Sequence, residues 1–209
     1  MTRGKFITLE GGEGAGKSTQ AARLASFLRA KGIEVVQTRE VGGSPSAEAI
    51  RELWLGGGET HWDPITELLL ISAARREHLV KTVWPAMERG TWVVCDRFAD
   101  STRAYQGAGL GLGIETVDDV YRRIADGFEP DLTLLLDLPV EEGLARMAAR
   151  GGQDDRYQQK QRDFHQTLRN AYLELANVYA YRFRAIDASA DADTVAAHIE
   201  SAVCGYFDL

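Results

Sequence analysis

The sequence predicts an α/β fold of three layers, helices on both faces of a mostly parallel sheet of about five strands. Three observations predict it. A short β-prone run feeds into a glycine-rich phosphate loop and then a helix. Two further runs, Trp92 to Cys95 and Leu132 to Leu136, read as strands buried on both faces. Helical periodicity separates the strand candidates, and such alternation folds into right-handed parallel βαβ units.

The first strand is Phe6 to Leu9. Gly11-Gly12-Glu13-Gly14-Ala15-Gly16-Lys17-Ser18 then fits G-x-x-x-x-G-K-[ST] at every fixed position, with Thr19 following. Glycines let successive N–H groups turn inward with no Cβ in the way, which makes an anion nest at a helix N-terminus. Lys17 is placed to reach the β- and γ-phosphates of ATP, and the Ser18 hydroxyl to complete the coordination of Mg²⁺. Ala21, Leu24, Phe27 and Leu28 give a helix from Lys17 to Lys31, stopped by Gly32. Ile33 to Thr38 is the second strand and ends in Arg39-Glu40. Val41 to Pro45 is a loop by composition, and a helix from Ser46 to Leu55 breaks at Gly56-Gly57-Gly58. Asp63 caps and Pro64 opens a longer helix that carries Leu69, Ala73, Arg76 and Leu79 through Val83, with Pro85 kinking or ending it.

The third strand, Trp92 to Cys95, delivers Asp96-Arg97. Gly107 to Gly113 reads as a flexible loop, and Val117, Val120 and Ile124 make the next helix amphipathic. After Leu132 to Leu136 and Asp137 come a helix from Glu141 to Arg150 and a break at Gly151-Gly152. A long helix follows with Phe164, Leu168, Tyr172, Leu175 and Tyr179 on one side, then a last strand, Phe183 to Asp187, and a helix marked by Val195, Ile199 and Val203. The 209 residues show no internal repeat and are expected to form a single domain, 1–209.

A net charge of -7 argues against general affinity for nucleic acid or anionic membranes, so phosphate binding must be local. Cys95 and Cys204 suggest neither a disulfide framework nor a metal site, and two buried free thiols suit a reducing cytoplasm. The basic start, Met1 to Lys5, is followed by Glu10 and glycines too soon for a signal peptide, and no apolar run approaches a membrane span. A cytoplasmic protein is expected.

A phosphate loop names a nucleotide and leaves the reaction open. Neither Asp-x-x-Gly nor Asn-Lys-x-Asp occurs, which disfavours a GTPase switch. Arginines stand after strands and in loops: Arg39, Arg51, Arg75, Arg97, Arg146, Arg150 and Arg156. In an open α/β sheet the ligand lies beyond the carboxyl ends of the strands, where Arg39 and Arg97 fall. Phosphoryl transfer is mostly positioning and charge neutralisation, which convergent arginines supply, though any one of them could equally sit in a surface ion pair. His61, His78, His165 and His198 lack metal-ligand spacing, and Trp54, Trp62, Trp84 and Trp92 read as packing residues.

FITLEGGEGAGKST, TREVGGSPSAEAIR, LLLISAARREHL, WVVCDRFADSTRAYQGAG and PDLTLLLDLPVEEGLARMAARG, in this order, resemble bacterial thymidylate kinases. The resemblance runs from residue 5 to about residue 180 and is most specific in DR-x-x-x-S-x-x-A-Y-Q-G. It implies the P-loop kinase fold with a small mobile lid at about 146–160, a homodimer, and transfer of the γ-phosphate of ATP to dTMP. By the same resemblance Lys17 and Ser18 hold ATP phosphates and Mg²⁺, with Asp96 near the metal. Glu13 lies by the deoxyribose 3′-hydroxyl and Arg97 between the two phosphates. Arg75 bonds the thymine edge with help from Thr102 and Gln106, Tyr105 packs by the sugar C2′, and Arg39, Glu40 and Arg51 complete the acceptor pocket. The family keeps a catalytic arginine either in the P-loop or in the lid. Gly14 occupies that P-loop position here, so the resemblance assigns the role to the lid: Arg150 first, Arg146 or Arg156 otherwise.

Two positions depart from the family pattern. Val41 replaces a usual proline, which implies a less rigid loop after Glu40. Ile71 stands where a phenylalanine usually stacks on thymine, implying weaker dTMP binding that Ile71→Phe restores. A kinase for another deoxynucleotide or a deoxynucleoside is the alternative, and a nucleotide-binding module without turnover is opposed by Lys17, Ser18, Asp96 and Arg97. The apolar face of the helix from Asp63 to Val83 suits either core or a dimer seam, and the resemblance favours the seam.

Overall fold

A computed structural model describes residues 3–56, 62–150 and 162–209. Its sheet has five strands, all parallel, in the order β2-β3-β1-β4-β5. These are β1 (Phe6–Glu10), β2 (Val35–Arg39), β3 (Trp92–Asp96), β4 (Leu132–Asp137) and β5 (Phe183–Asp187). The helices are α1 (Lys17–Ala30), α2 (Pro45–Leu55), α3 (Pro64–His78), α4 (Trp84–Glu88), α5 (Ala99–Thr102), α6 (Ile114–Ala125), α7 (Val140–Arg150), α8 (Arg162–Val178) and α9 (Ala192–Phe207).

Strand alternation sorts the core into layers. Ile7 and Leu9 of β1, Val94 of β3 and Leu132, Leu134 and Leu136 of β4 share one face with Leu24 and Leu28 of α1 and Ile199 and Val203 of α9. Phe6, Val93 and Cys95 point the other way, onto Val83, Met87, Phe98 and Tyr121. Central β1 is buried at every residue, as a strand covered on both faces must be.

Three elements differ from the sequence expectation. Ser44 caps α2, its hydroxyl accepting from the Ala47 N–H at 3.3 Å, so that helix begins at Pro45. The helix opened by Asp63 and Pro64 does not run unbroken to Val83. It gives way at Leu79–Val83 to a π-helical turn and resumes as α4, whose first turn holds Pro85. The expected flexible loop from Gly107 to Gly113 is half helical. α5 passes into a π-helical segment, Arg103–Gly109, whose wide turn is visible in the Leu110 N–H donating to the Tyr105 carbonyl at 2.8 Å. Helical periodicity in sequence assumes one residue every 100° of turn, so π-turns break the pattern that reveals a helix.

Candidate active site

The sheet order leaves a crevice beyond the carboxyl ends of β1 and β3. A cavity of ≈ 270 Å³ fills it. On one side stand Glu13, Gly14, Gly16, Lys17, Ser18 and Thr19 of the phosphate loop, and on the other Arg39, Glu40, Arg51, Ile71, Arg75, Thr102, Tyr105 and Gln106. Asp96 and Arg97 lie on the same lining. Nearly all the residues singled out in sequence thus converge on one cleft. Gly11, Gly12 and Ala15 complete the loop behind it.

The loop is built to accept anions. Lys17 is buried, its Nζ donating to the Gly12 carbonyl at 2.7 Å. Burial, and then the Arg97 cation, hold its ammonium below the usual lysine value, so an arriving phosphate relieves both. Gly14 has φ +72, and a Cβ there would come within 2.3 Å of the Gly143 carbonyl oxygen in α7. An arginine therefore has no room at this position while α7 packs against the loop.

Ser18 Oγ lies 2.5 Å from Asp96 Oδ2, whereas Asp96 Oδ1 is buried without a hydrogen-bond partner among the described residues. A hydroxyl and a carboxylate with a spare buried oxygen form a hard-oxygen pair that suits Mg²⁺ retaining its waters and phosphate ligands.

Arg97 is the hub. Its backbone adopts a left-handed φ of +68, uncommon for a non-glycine residue. Its Nη2 donates to Glu13 and, at 3.1 Å, to the Tyr105 hydroxyl. Nη1 faces the Gly11 carbonyl, Ser101 Oγ and the Tyr172 hydroxyl at 3.2–3.4 Å. The Tyr105 hydroxyl also donates to Glu13, and burial pushes that phenol up, so it keeps its proton.

The acceptor side is ordered by buried pairs. Arg75 Nε donates to Glu40 Oε2 at 2.7 Å, and Nη2 to Thr102 Oγ1 at 2.8 Å and the Phe98 carbonyl at 3.2 Å. Arg39 pairs with Glu48 at 3.0 Å and is half exposed. Gln106 Nε2 donates to Glu67 at 2.7 Å. Val41, expected to loosen its loop, offers its carbonyl to Arg51 Nη1 at 2.8 Å, and the Gly43 N–H donates to Glu48 at 2.9 Å, which holds the segment from both sides.

Of the lid candidates, Arg146 donates to the Ala188 and Ser189 carbonyls at 2.9 and 3.0 Å. Arg156 and the side chain of Arg150 lie outside the described residues, as does most of 146–160.

Four participants escaped sequence reasoning. Trp54, read as packing, is nearly buried on the cleft wall with Ile71 and Leu55. Ser101 is the fixed serine of DR-x-x-x-S, to which sequence alone assigned no role, and Tyr172 looked like core. Glu10 is fully buried at the end of β1, accepting from the Phe98 N–H at 2.8 Å, Ser101 Oγ at 2.6 Å and the Tyr172 hydroxyl at 3.3 Å. An acid closing an apolar strand was the available signal.

Burial, and then Asp100, push the Glu10 carboxyl from its ordinary 4.5 up to about 7. The folded state then keeps a proton that the unfolded chain has lost. Its stabilising contribution is complete below 4.5 and is lost as pH rises through about 7. Between about pH 5 and about pH 8 the wild type should lose roughly 2–3 kcal/mol more than Glu10→Gln in urea unfolding. Parallel losses would put the proton elsewhere.

The family model described as Thymidylate kinase matches residues 9–199. A thymidylate kinase of Caulobacter vibrioides is 52% identical over 203 residues, 97% of each chain, and one of Alkalilimnicola ehrlichii 50% identical over 203 residues, 97% of this chain and 94% of that one. The crystal structure of thymidylate kinase from Ehrlichia chaffeensis superposes with a TM-score of 0.78 at 30% identity, covering 96% of this chain and 99% of that one. The match of the family model over most of the chain and these near-full-length relatives show that the chain belongs to the thymidylate kinase family.

Proposed function

We propose that this enzyme transfers the γ-phosphoryl group of ATP to dTMP, giving ADP and dTDP. The observation that carries the reading is the single cleft: phosphate loop at one end, Arg75 at the other, Arg97 between. Backbone amides of the loop and Lys17 take the donor phosphates. Among the described residues the hydrogen bonds of Arg75 run from Nε and Nη2, which leaves Nη1 to meet a base edge. Arg97 neutralises charge on the oxygens of the group in flight while the bond to the ADP oxygen breaks and one to the acceptor phosphate oxygen forms. A phosphate monoester with a second pKa of about 6 already offers a deprotonated oxygen at neutral pH, so no general base is required. No histidine is among the described residues lining the cleft.

Ser18 and Asp96 are the residues that would hold Mg²⁺, which on binding supplies charge neutralisation at the donor phosphates. Arg150 remains the proposed cation of the lid at about 146–160, within a single domain. Measuring ADP release with dTMP, dUMP, dCMP, dGMP and thymidine tests the substrate. Best turnover on any acceptor but dTMP defeats the assignment.

Ile71 is buried and shares its wall with Trp54 and Tyr105. Ile71→Phe is expected to lower the KM for dTMP by up to about tenfold through ring stacking. An unchanged or raised KM would show that Phe is not what this wall lacks.

We place a second copy of the chain on the outer face of α3 and the turn after it, where Ile65, Leu69 and Val80 are 44%, 54% and 42% exposed. Ile65 and Leu69 lie one turn apart and form an apolar stripe. Leu69→Arg should turn a dimer into a monomer in sedimentation equilibrium. A monomeric wild type defeats this placement. No helix among the described residues is long and apolar enough to cross a membrane. We place the enzyme in the cytoplasm, whose reducing poise suits two free cysteines.

A further inference from the structure

His78 ends α3 fully buried, and both ring nitrogens are engaged. Nε2 lies 2.8 Å from Thr38 Oγ1 at the end of β2, and Nδ1 lies 2.9 Å from Glu40 Oε1. The other oxygen of that carboxylate takes Arg75 Nε at 2.7 Å. A chain of contacts therefore runs from the edge strand through an imidazole and a carboxylate to the guanidinium that lines the cleft.

Geometry makes each link depend on the one before. The terminal torsion of a glutamate is broad, so one partner alone does not fix its plane. With both oxygens occupied, one by Nδ1 and one by Nε of Arg75, the Glu40 carboxylate has one orientation. Burial works against its charge, but Arg75 and His78 outweigh it and hold the carboxyl below the usual range. A carboxylate only accepts, so Nδ1 carries the hydrogen, and the Thr38 hydroxyl, able to donate or accept, completes Nε2 in either form.

We propose that His78 is a positioning residue for base recognition: by fixing the Glu40 carboxylate it fixes the guanidinium plane of Arg75, and with it the direction in which Nη1 meets the acceptor base. This rests on the reading of Arg75 as the base-side donor. Without His78, Oε1 is a buried acceptor with no donor, and the carboxylate turns to share Arg75 differently. The guanidinium tilts with it, while the phosphate loop, on other elements, is untouched.

Two substitutions separate positioning from mere filling. Asn places an amide nitrogen where Nδ1 stands, so His78→Asn keeps the donor to Glu40 and gives up only the Thr38 contact. His78→Leu fills the space without a donor. His78→Leu should raise the KM for dTMP about tenfold or more and leave the KM for ATP within about twofold, whereas His78→Asn stays within about threefold of wild type for both. In ¹⁵N-edited spectra the Arg75 Nε–H, shielded by Glu40, should exchange with solvent at least about tenfold faster in His78→Leu and not in His78→Asn.

Equal dTMP KM values in the two variants, a parallel rise in both KM values, or unaltered Nε–H exchange in His78→Leu each overturn the proposal. If His78→Leu does not fold, His78→Gln takes its place, since its amide reaches the Nε2 position and leaves Glu40 Oε1 without a donor. Arg75→Gln, run alongside, tests the underlying reading separately. Should that variant keep the wild-type KM for dTMP, the base-side assignment falls, and the exchange measurement alone still decides whether His78 orients Arg75.

Discussion

Arg97→Ala is expected to lower kcat by about 10³-fold or more and to leave the KM for ATP within a few-fold, because on the proposed reading the lost interactions concern the group in transfer rather than the bound nucleotide. The side chain is 18% exposed and carries hydrogen bonds on both terminal nitrogens, to Glu13 and Tyr105 on one and to Gly11, Ser101 and Tyr172 on the other. A left-handed backbone aims it there, a conformation costing of order 1 kcal/mol or more, which persists only because its surroundings impose it. Truncation removes the cation and deprives the Glu13 carboxylate of its Arg97 partner. Arg97→Lys should recover only part of the loss, since an ammonium keeps the charge but cannot span both sets of partners. Coupled ADP-release kinetics read both variants. Full activity in Arg97→Ala would mean that the reacting phosphates lie elsewhere.

Asp100→Ala is expected to destabilise the fold by about 3–5 kcal/mol, the cost of breaking a buried ion pair from one side. Asp100 is fully buried and accepts from Arg103 Nη1 at 2.8 Å and from Arg182 Nη1 and Nη2 at 2.7 and 2.9 Å. Those arginines are 3% and 1% exposed, and Glu129 lies 3.0 Å from one and 3.2 Å from the other. Removing the shared carboxylate leaves two buried cations competing for Glu129 and Asp118. The network ties β5 to α5 and the π-helical segment behind it, so the cost appears as a thermal midpoint lowered by roughly 10 °C or more. Asp119→Ala, which cuts an exposed pair with Arg122, should leave the midpoint where it was. Equal midpoints for Asp100→Ala and wild type would show that the buried network adds nothing.

The strands and the phosphate loop were legible because their signals are local. Four apolar residues in a row, as in Trp92 to Cys95, or glycines at fixed spacing before Lys-Ser, need no knowledge of what packs on them. α5 and the π-turns were not, since a widened turn shifts every later side chain off the helical period. Site residues followed the same division. Lys17, Ser18, Asp96 and Arg97 declared themselves through motif and strand end. Arg75, Thr102, Tyr105 and Gln106 came through resemblance to a family. Trp54 and Tyr172 carried no signal beyond those of core residues, Glu10 showed only as an acid closing an apolar strand, and His78 only as a histidine without metal-ligand spacing.

By itself, then, the sequence determined the order of strands and helices, the anion nest and the sign of the charges gathered around it, because each depends on neighbours a few residues away. Tertiary structure alone decided which charges meet. It joined Glu40 to Arg75 across 35 residues, Arg97 to Glu13 across 84 and Asp100 to Arg182 across 82. The physical reason is that a buried charge is tolerable only beside its partner, and the partner is chosen by the crossing of β-strands and helices in space, which no local pattern encodes.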